Sequence, residues 1–355
     1  MANLPITNPT IPPGSLILVT GANGLIASWA VDKLLEAGYR VRGTVRSTSR
    51  CAWMIPFFEN RHGRKDCFEM VQVSDFTAPG AWDAPVRDVA GIAAVAGITG
   101  LDIEDVDAAL ALEQEFVFGL LETAAKEGSA VRSFVFTSSA WAAFTPDPTR
   151  EKETTRLDEW SYNEDAVRLL REEGVGVGGG GGLASYMALK TLLEQSVWDW
   201  VREHEPSYAF NTILPETVLG EMLSPKDQGI TSTCGFVKWL RDGVNLDMVR
   251  GVRPQRFVDT KDLGWLYVAA LVTPGVDRER IWAFGERFSF KRVGEILQDL
   301  EPQRKIPVLP DDGWDRVEVP NQRAEALLRR VTGHGWAKLE DSISDCLKSI
   351  LKAGA

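Results

Sequence analysis

The chain has 355 residues, of which 44% are hydrophobic and 25% are charged, and its formal net charge is −11. This composition is typical of a globular protein, and the negative charge argues against nucleic acid or an anionic membrane as a partner. The four cysteines and three histidines are dispersed, so neither a disulfide framework nor a metal site is predicted. No apolar stretch approaches the length of a membrane span and the N-terminus lacks a signal-peptide pattern, so we expect a cytoplasmic protein.

A strand, a glycine turn and a helix open the chain. Leu16–Val19 is a short apolar run, as expected for a buried parallel strand, and a helix is predicted over 25–37. Between them, Gly21 allows a sharp turn and Gly24 lets the backbone approach a pyrophosphate, which the helix N-terminus then faces. The residues that we expect to bind this part of a dinucleotide are Gly21, Asn23, Gly24, Leu25 and Ile26.

The second strand indicates which dinucleotide is bound. It is predicted over 39–46 and ends in Arg46, with Arg50 one turn later. A cofactor with a free ribose 2′-hydroxyl favours an acidic residue at this strand end. Two arginines instead offer donors to a 2′-phosphate. The sequence therefore predicts NADPH or NADP.

Strands and helices alternate through the first half of the chain, which predicts a doubly wound, parallel α/β sheet of the Rossmann type. Ligands bind such sheets at the carboxyl ends of the strands, and Asp75 and Ser139 fall just after predicted strands. The further elements are helices near 51–60 and within 103–126 and strands at 68–73, 91–96 and 133–137.

Tyr186 and Lys190 are spaced so that both lie on one face of a helix, one turn apart. A lysine ammonium beside a phenol favours the phenolate and makes the tyrosine a better proton donor near neutral pH. A glycine-rich run, 174–182, immediately precedes this pair. It is interpreted either as a mobile flap over the site or as an inert spacer.

The second half is mixed. We predict strands at 209–215 and 280–285, a helical segment over 223–245, a helix over 263–272 and a mostly helical end from 291. The predicted organisation is a cofactor-binding Rossmann domain at 1–215, which carries the catalytic residues. A mixed, mostly helical substrate-binding portion follows at 216–355, of which 255–285 returns to the Rossmann domain.

Together these residues resemble the extended short-chain dehydrogenases/reductases, and within them the dihydroflavonol reductase-like carbonyl reductases of plants and fungi. The fungal members include aldehyde and methylglyoxal reductases of yeast. The resemblance spans nearly the whole chain. It is carried by the segments 16–24, 38–47, 134–139, 186–190, 213–218 and 257–262.

The resemblance implies hydride transfer from NADPH to a ketone or aldehyde. By the family pattern, Tyr186 protonates the developing alkoxide, Lys190 assists it and holds the nicotinamide ribose, and Ser139 hydrogen-bonds the substrate oxygen. Asp75 corresponds to the residue beside the adenine. Thr137, Pro215 and Val218 complete the cofactor-binding residues that the resemblance implies.

Two positions depart from the family pattern. Relatives often carry histidine at the end of the fourth strand, where this chain has Ala93 and Ala94. An asparagine of the following long helix, which assists a water relay near the lysine, corresponds to Leu120. An altered proton path or a slower turnover is therefore expected, and the catalytic residues themselves are intact.

The sequence as a whole predicts an NADPH-dependent reductase of a small to medium hydrophobic ketone or aldehyde, acting as a monomer or homodimer. The alternatives are a biosynthetic reductase of an imine or another C=X intermediate and a non-catalytic NADP-binding sensor or scaffold. An NAD-retaining epimerase is disfavoured by Arg46. The residues proposed as walls of the substrate pocket are Trp141, Phe144, Phe236 and Trp239.

Overall fold

The computed structural model describes residues 4–98, 100, 103–148, 155–173, 182–230 and 232–354. Its central element is a parallel sheet of seven strands in the order β3-β2-β1-β4-β5-β6-β9. This is the doubly wound α/β fold that the sequence predicts. The strands are β1 (Leu16–Val19), β2 (Arg40–Val45), β3 (Phe68–Gln72), β4 (Gly91–Ala94), β5 (Ser133–Thr137), β6 (Ala209–Pro215) and β9 (Arg280–Ala283).

Helices cover both faces of the sheet because successive strand side chains point to opposite sides. Ile17 and Val19 of β1 pack on one face and Leu16 and Leu18 on the other. The first six helices are α1 (Leu25–Glu36), α2 (Met54–His62), α3 (Asp83–Val86), α4 (Val106–Ala125), α5 (Glu164–Glu173) and α6 (Gly182–His204). Helix α1 packs on the first face, and α4 and α6 pack side by side on the second.

The C-terminal part adds a second sheet and further helices. Three short strands, β7 (Thr217–Leu219), β8 (Gln255–Asp259) and β10 (Arg287–Phe288), form this small sheet in the order β10-β8-β7. The helices are α7 (Pro225–Gln228), α8 (Cys234–Asp242), α9 (Leu246–Gly251), α10 (Thr260–Val272), α11 (Phe290–Leu300), α12 (Gln322–Thr332) and α13 (Leu339–Lys352). Helix α10 returns to the central sheet and packs against α1.

The main differences from the predicted elements lie in this C-terminal part. The small sheet was not predicted as a unit, and the segment 223–245 contains two separate helices, α7 and α8. Helix α10 begins three residues earlier than predicted, because the Asp259 side chain accepts a hydrogen bond from Lys261 N–H and caps it. Residues 301–321 between α11 and α12 are irregular apart from one isolated bridge residue.

Candidate active site

The glycine turn after β1 has the backbone geometry of a pyrophosphate-binding loop. Gly21 has a φ of +64°, and a Cβ there would lie 3.1 Å from the Ala96 Cβ. Its N–H donates to Thr44 Oγ1 at 3.1 Å, which fixes the turn against β2. Helix α1 begins after Gly24 without a side-chain cap. Its first N–H groups therefore suit an anion.

Asn23, Leu25 and Ile26 surround this turn. Asn23 is exposed and its carbonyl oxygen accepts a hydrogen bond from Gln228 Nε2 at 3.0 Å. Leu25 and Ile26 form the first turn of α1, with Leu25 buried and Ile26 half-buried against the core. The loop is thus tied to the C-terminal part through Gln228.

The groups beyond β2 and β3 lie at the surface. Arg46 and Arg50 are exposed, and within the described part of the chain neither side chain has a hydrogen bond or an ion pair. Asp75 Oδ1 accepts hydrogen bonds from the N–H and hydroxyl of Thr77, which hold the pKa of this exposed carboxyl below its usual range. The two guanidinium groups are therefore available to an anionic ligand, whereas Asp75 already stabilises a turn.

Ser139 and Tyr186 both contact Trp141, and Lys190 lies beside Tyr186. Ser139 follows β5 and caps a 3-10 turn, with its Oγ accepting a hydrogen bond from Trp141 N–H at 3.2 Å. The Trp141 ring packs edge-to-face on Tyr186, with ring centroids 5.8 Å apart at 87°. Lys190 is buried one turn further along α6, with its Nζ 5.7 Å from the Tyr186 ring centroid. Trp141 therefore contacts the serine through its backbone N–H and the tyrosine through its indole.

A carboxylate that sequence reasoning missed lies beside Lys190. Glu113 of α4 is 4% exposed, and its Oε1 accepts a hydrogen bond from Ile98 N–H. A Cβ at Gly97 would lie 3.1 Å from Glu113 Oε2 and 3.4 Å from Lys190 Nζ. The two charged groups thus face each other across a residue that has no side chain.

The sequence contained a signal for Glu113. An apolar stripe at helical spacing runs along α4, and Glu113 interrupts it between Leu110 and Val117. Leu120, which corresponds to the relay asparagine of the family pattern, lies in that stripe. It is fully buried in an apolar cluster with Trp82 and Phe134. In the structure, Glu113 is the side chain of α4 that faces the lysine.

A buried ion pair fixes the catalytic helix against the sheet. Glu194 lies one turn beyond Lys190, and Arg280 of β9 donates to both of its carboxylate oxygens at 2.9 Å. Both side chains are 0% exposed. Thr212 of β6 donates to the same carboxylate at 3.0 Å. The face of α6 that carries Tyr186 and Lys190 is therefore held in place by strands of the central sheet.

The remaining predicted cofactor residues lie at strand ends. Thr137 Oγ1 shares a hydrogen bond of 2.6 Å with the Tyr267 hydroxyl. Pro215 ends β6 and Val218 lies in β7, both buried. Ala93 and Ala94 are buried at the end of β4, where they pack among apolar side chains.

The four proposed pocket residues fall into two groups. Trp141 contacts Tyr186, and Phe144 lines a cleft that Gln255 connects to Trp141. Phe236 and Trp239 contact each other on α8, and Phe236 also packs against Phe290, so these two belong to the helical C-terminal part. Residues 174–181 of the glycine run lie outside the described residues, and Gly182 begins α6.

Membrane-spanning helices and metal-binding clusters are both absent from the described residues. No helix among them is long and apolar enough to cross a membrane. No group of three or more histidine, cysteine, aspartate or glutamate side chains in those residues is arranged to hold a metal ion.

The parallel sheet, glycine turn and Tyr186–Lys190 helix define a nicotinamide-dependent oxidoreductase of the Rossmann class. The chain matches the NAD dependent epimerase/dehydratase family over residues 17–165. It is 36% identical to ketoreductase adrE of Penicillium rubens, covering 95% of this chain and 96% of that protein. It is 32% identical to aldehyde reductase 2 of Sporidiobolus salmonicolor, covering 97% and 98%. The chain therefore belongs to this family, the extended short-chain dehydrogenases/reductases, as its motifs predict.

Solved structures share the fold. Yeast methylglyoxal/isovaleraldehyde reductase Gre2, complexed with NADPH, superposes with a TM-score of 0.76 at 23% identity, covering 95% of this chain and 98% of that one. Vestitone reductase from alfalfa superposes with a TM-score of 0.71 at 20% identity, covering 96% and 99%. The Rossmann fold class is thereby confirmed.

Proposed function

We propose that this protein is an NADPH-dependent carbonyl reductase that converts a small to medium hydrophobic ketone or aldehyde to the alcohol. The observation that carries the proposal is that Ser139 and Tyr186 both contact Trp141, with Lys190 beside Tyr186. Tyr186 and Lys190 share one face of α6, and Ser139 and Tyr186 both contact the Trp141 residue. In this proposal residues 1–215 bind the cofactor and 216–355 complete the substrate site.

The proposed roles follow from where charge develops. When bound, NADPH supplies a hydride to the carbonyl carbon, so negative charge builds on the carbonyl oxygen. The Tyr186 hydroxyl donates its proton to that oxygen, and Lys190 stabilises the resulting phenolate. Ser139 Oγ already accepts a hydrogen bond from Trp141 N–H. Its own O–H is therefore directed towards a second acceptor, which we take to be the same oxygen.

The test replaces Tyr186 by Phe, which keeps the ring and its contact with Trp141. Carbonyl reduction should fall by about 10²–10⁴-fold, the usual contribution of a general acid, while NADPH binding measured by calorimetry is retained. Tyr39→Phe is the matched control, because the Tyr39 hydroxyl is buried and donates to the Ile11 carbonyl oxygen at the start of the sheet. Near-native turnover of folded Tyr186→Phe would contradict the assignment.

The cofactor preference is tested at Arg46 and Arg50. Replacing both by Gln should weaken NADPH binding by about 10- to 100-fold, because charge-assisted contacts to the 2′-phosphate are lost. NADH binding should change little. Arg40→Gln, at the opposite end of the same strand, provides the control. An equal loss of affinity for NADPH and NADH would contradict the assignment of these arginines to the 2′-phosphate.

Two other functions remain as outcomes of the same assays. Turnover of imines with no turnover of ketones or aldehydes would favour the biosynthetic imine reductase. Tight NADPH binding without turnover of any ketone, aldehyde or imine would favour the sensor or scaffold. The buried Lys190 and the intact serine and tyrosine support a catalytic protein.

A further inference from the structure

Three ionisable side chains form a row across the small sheet. Arg287 of β10 lies directly opposite Arg256 of β8. On the other side of β8, Thr217 opposes Phe257, so Glu216 comes opposite Arg256. Side chains directly opposite each other on neighbouring strands share a face of the sheet. The sheet therefore presents two arginines side by side with a glutamate next to them.

The two arginines line a cleft that is connected to Tyr186 through Gln255 and Trp141. The cleft is open to solvent and is walled by Phe144 and by Trp314, whose indole is 44% exposed. Gln255 also lines it, and its Oε1 accepts a hydrogen bond from Trp141 Nε1 at 3.0 Å. That indole also packs against Tyr186, so Gln255 and Trp141 connect the cleft to the tyrosine that we propose as the proton donor.

The cleft contains hydrogen-bond donors without acceptors. Gln255 is 4% exposed, and its Nε2 has no hydrogen-bond partner in the described chain. Arg256 donates from Nη1 to the Gly285 carbonyl oxygen at 3.0 Å. Arg287 has neither a hydrogen bond nor an ion pair with any described residue. Since like charges directly opposite each other destabilise a sheet, an anion between the two guanidinium groups would stabilise this arrangement.

Among the described residues, neither nearby acid forms an ion pair with Arg256 or Arg287. Asp315 lines the cleft, but its two oxygens accept hydrogen bonds from Asp147 N–H at 2.6 Å and Val317 N–H at 2.7 Å. Glu216 is 6% exposed, and neither of its oxygens has a hydrogen-bond partner in the described residues. Burial raises the pKa of the Glu216 carboxyl well above its usual range, against the attraction of Arg256, so its uncharged form is favoured.

We propose that this cleft binds a carboxylate group of the substrate, held by Arg256, Arg287 and Gln255. The inference rests on the proposed reductase function and narrows its substrate class. The substrate is a carbonyl compound with an apolar, preferably aromatic body that packs between Phe144 and Trp314. Paired guanidinium groups match the geometry of a carboxylate. A protein with a net charge of −11 repels anions in general, so a local pair of cations is required to attract one.

The test uses aromatic ketones supplied as acid and ester pairs, such as an acetylbenzoate and its methyl ester. They are compared on the wild type, on Arg287→Gln and on Arg330→Gln, which removes the same charge from an exposed position of α12. Arg287→Gln should lower kcat/KM for the acid by about 10- to 100-fold and leave the ester within about 2-fold, because only the acid loses a charge-assisted contact. Arg330→Gln should leave both unchanged.

Calorimetric binding of the acetylbenzoate, which needs no turnover, separates this inference from the proposed function. Arg287-dependent binding without reduction of either ketone would support the carboxylate site and contradict the reductase. Reduction of the ester and the acid with equal kcat/KM, unaffected by Arg287→Gln, would support the reductase and overturn the carboxylate site. Loss of binding in Arg330→Gln as well would show a general charge effect and would also overturn it.

Discussion

Replacing Glu194 by Gln should destabilise the protein strongly, although the change removes only one charge. The Glu194 carboxylate is 0% exposed and binds Nε and Nη2 of Arg280. Arg280 also donates from Nη1 to the carbonyl oxygens of Glu159 and Ser161. Glutamine keeps the shape and one acceptor. The guanidinium is then left buried without a counter-charge, and both it and α6 have to shift.

The expected magnitude follows from burial. Removing one partner of a buried ion pair costs about 3–5 kcal/mol of the free energy of unfolding. At about 2.1 cal/mol/K of unfolding entropy per residue, a 355-residue chain should lose about 4–7 °C in Tm. Because the same helix face carries Tyr186 and Lys190, kcat should fall as well, while the affinity for NADPH at the distant arginines is largely retained.

Thermal unfolding followed by circular dichroism tests this expectation. Asp199→Asn is the control on the same helix, because Asp199 pairs with Arg202 at the surface and such pairs contribute about 0–1 kcal/mol. The double variant Glu194→Leu/Arg280→Met should recover much of the lost stability, since it leaves no uncompensated buried charge. A Glu194→Gln protein that melts within about 1 °C of the wild type would refute the reasoning.

Three further predictions concern buried carboxyl groups. Burial raises the pKa of Asp32, but hydrogen bonds from His62 and Arg61 and nearby positive charges outweigh it and lower that pKa to about 2. Asp32→Asn should therefore lower the free energy of unfolding at pH 7, measured by urea titration, by about 2 kcal/mol. This difference should disappear as the pH falls from about 4 to 2. Equal stability of the variant and the wild type at pH 7 would show that these contacts contribute nothing. Glu216→Gln should be more stable than the wild type at pH 8, and this advantage should be lost on acidification towards pH 4. The reason is that the raised pKa of the Glu216 carboxyl in the folded state makes folding of the wild type more favourable when this carboxyl is protonated. A stability difference that does not change with pH would contradict this. Glu113→Gln should lower kcat without changing NADPH affinity, because it removes the charge that faces Lys190 across Gly97. An unchanged kcat would exclude a role for this carboxylate in the site.

The central sheet was predictable because its strands carry strong local signals. Ser133–Thr137 and Ala209–Pro215 are apolar runs bounded by polar residues or proline, and both strands have the predicted limits. The glycine turn and the Tyr186–Lys190 spacing are likewise local patterns. The strands β7 and β10 have three and two residues, which is too short for alternation to be recognised. The small sheet, and with it the Arg256–Arg287 cleft, was therefore missed.

The electrostatic partners of the site were not predictable for a different reason. Glu113 and Lys190 are 77 residues apart, and the hydrogen bonds between Arg280 and Glu194 join residues 86 positions apart. Such pairs depend on the packing of α4, α6 and β9, which no local pattern encodes. A charged residue within an apolar helix stripe was the available signal. Glu113 shows it, whereas the family pattern points to Leu120.

The position of Glu113 bears on how Lys190 is held. A Cβ at Gly97 would lie 3.1 Å from Glu113 Oε2 and 3.4 Å from Lys190 Nζ, so a side chain at this residue would displace one or both of the charged groups. Glu113 Oε1 also accepts a hydrogen bond from Ile98 N–H, which ties the segment after β4 to α4 beside the lysine. The carboxylate therefore links α4, this segment and Lys190, the residue that we propose to assist Tyr186.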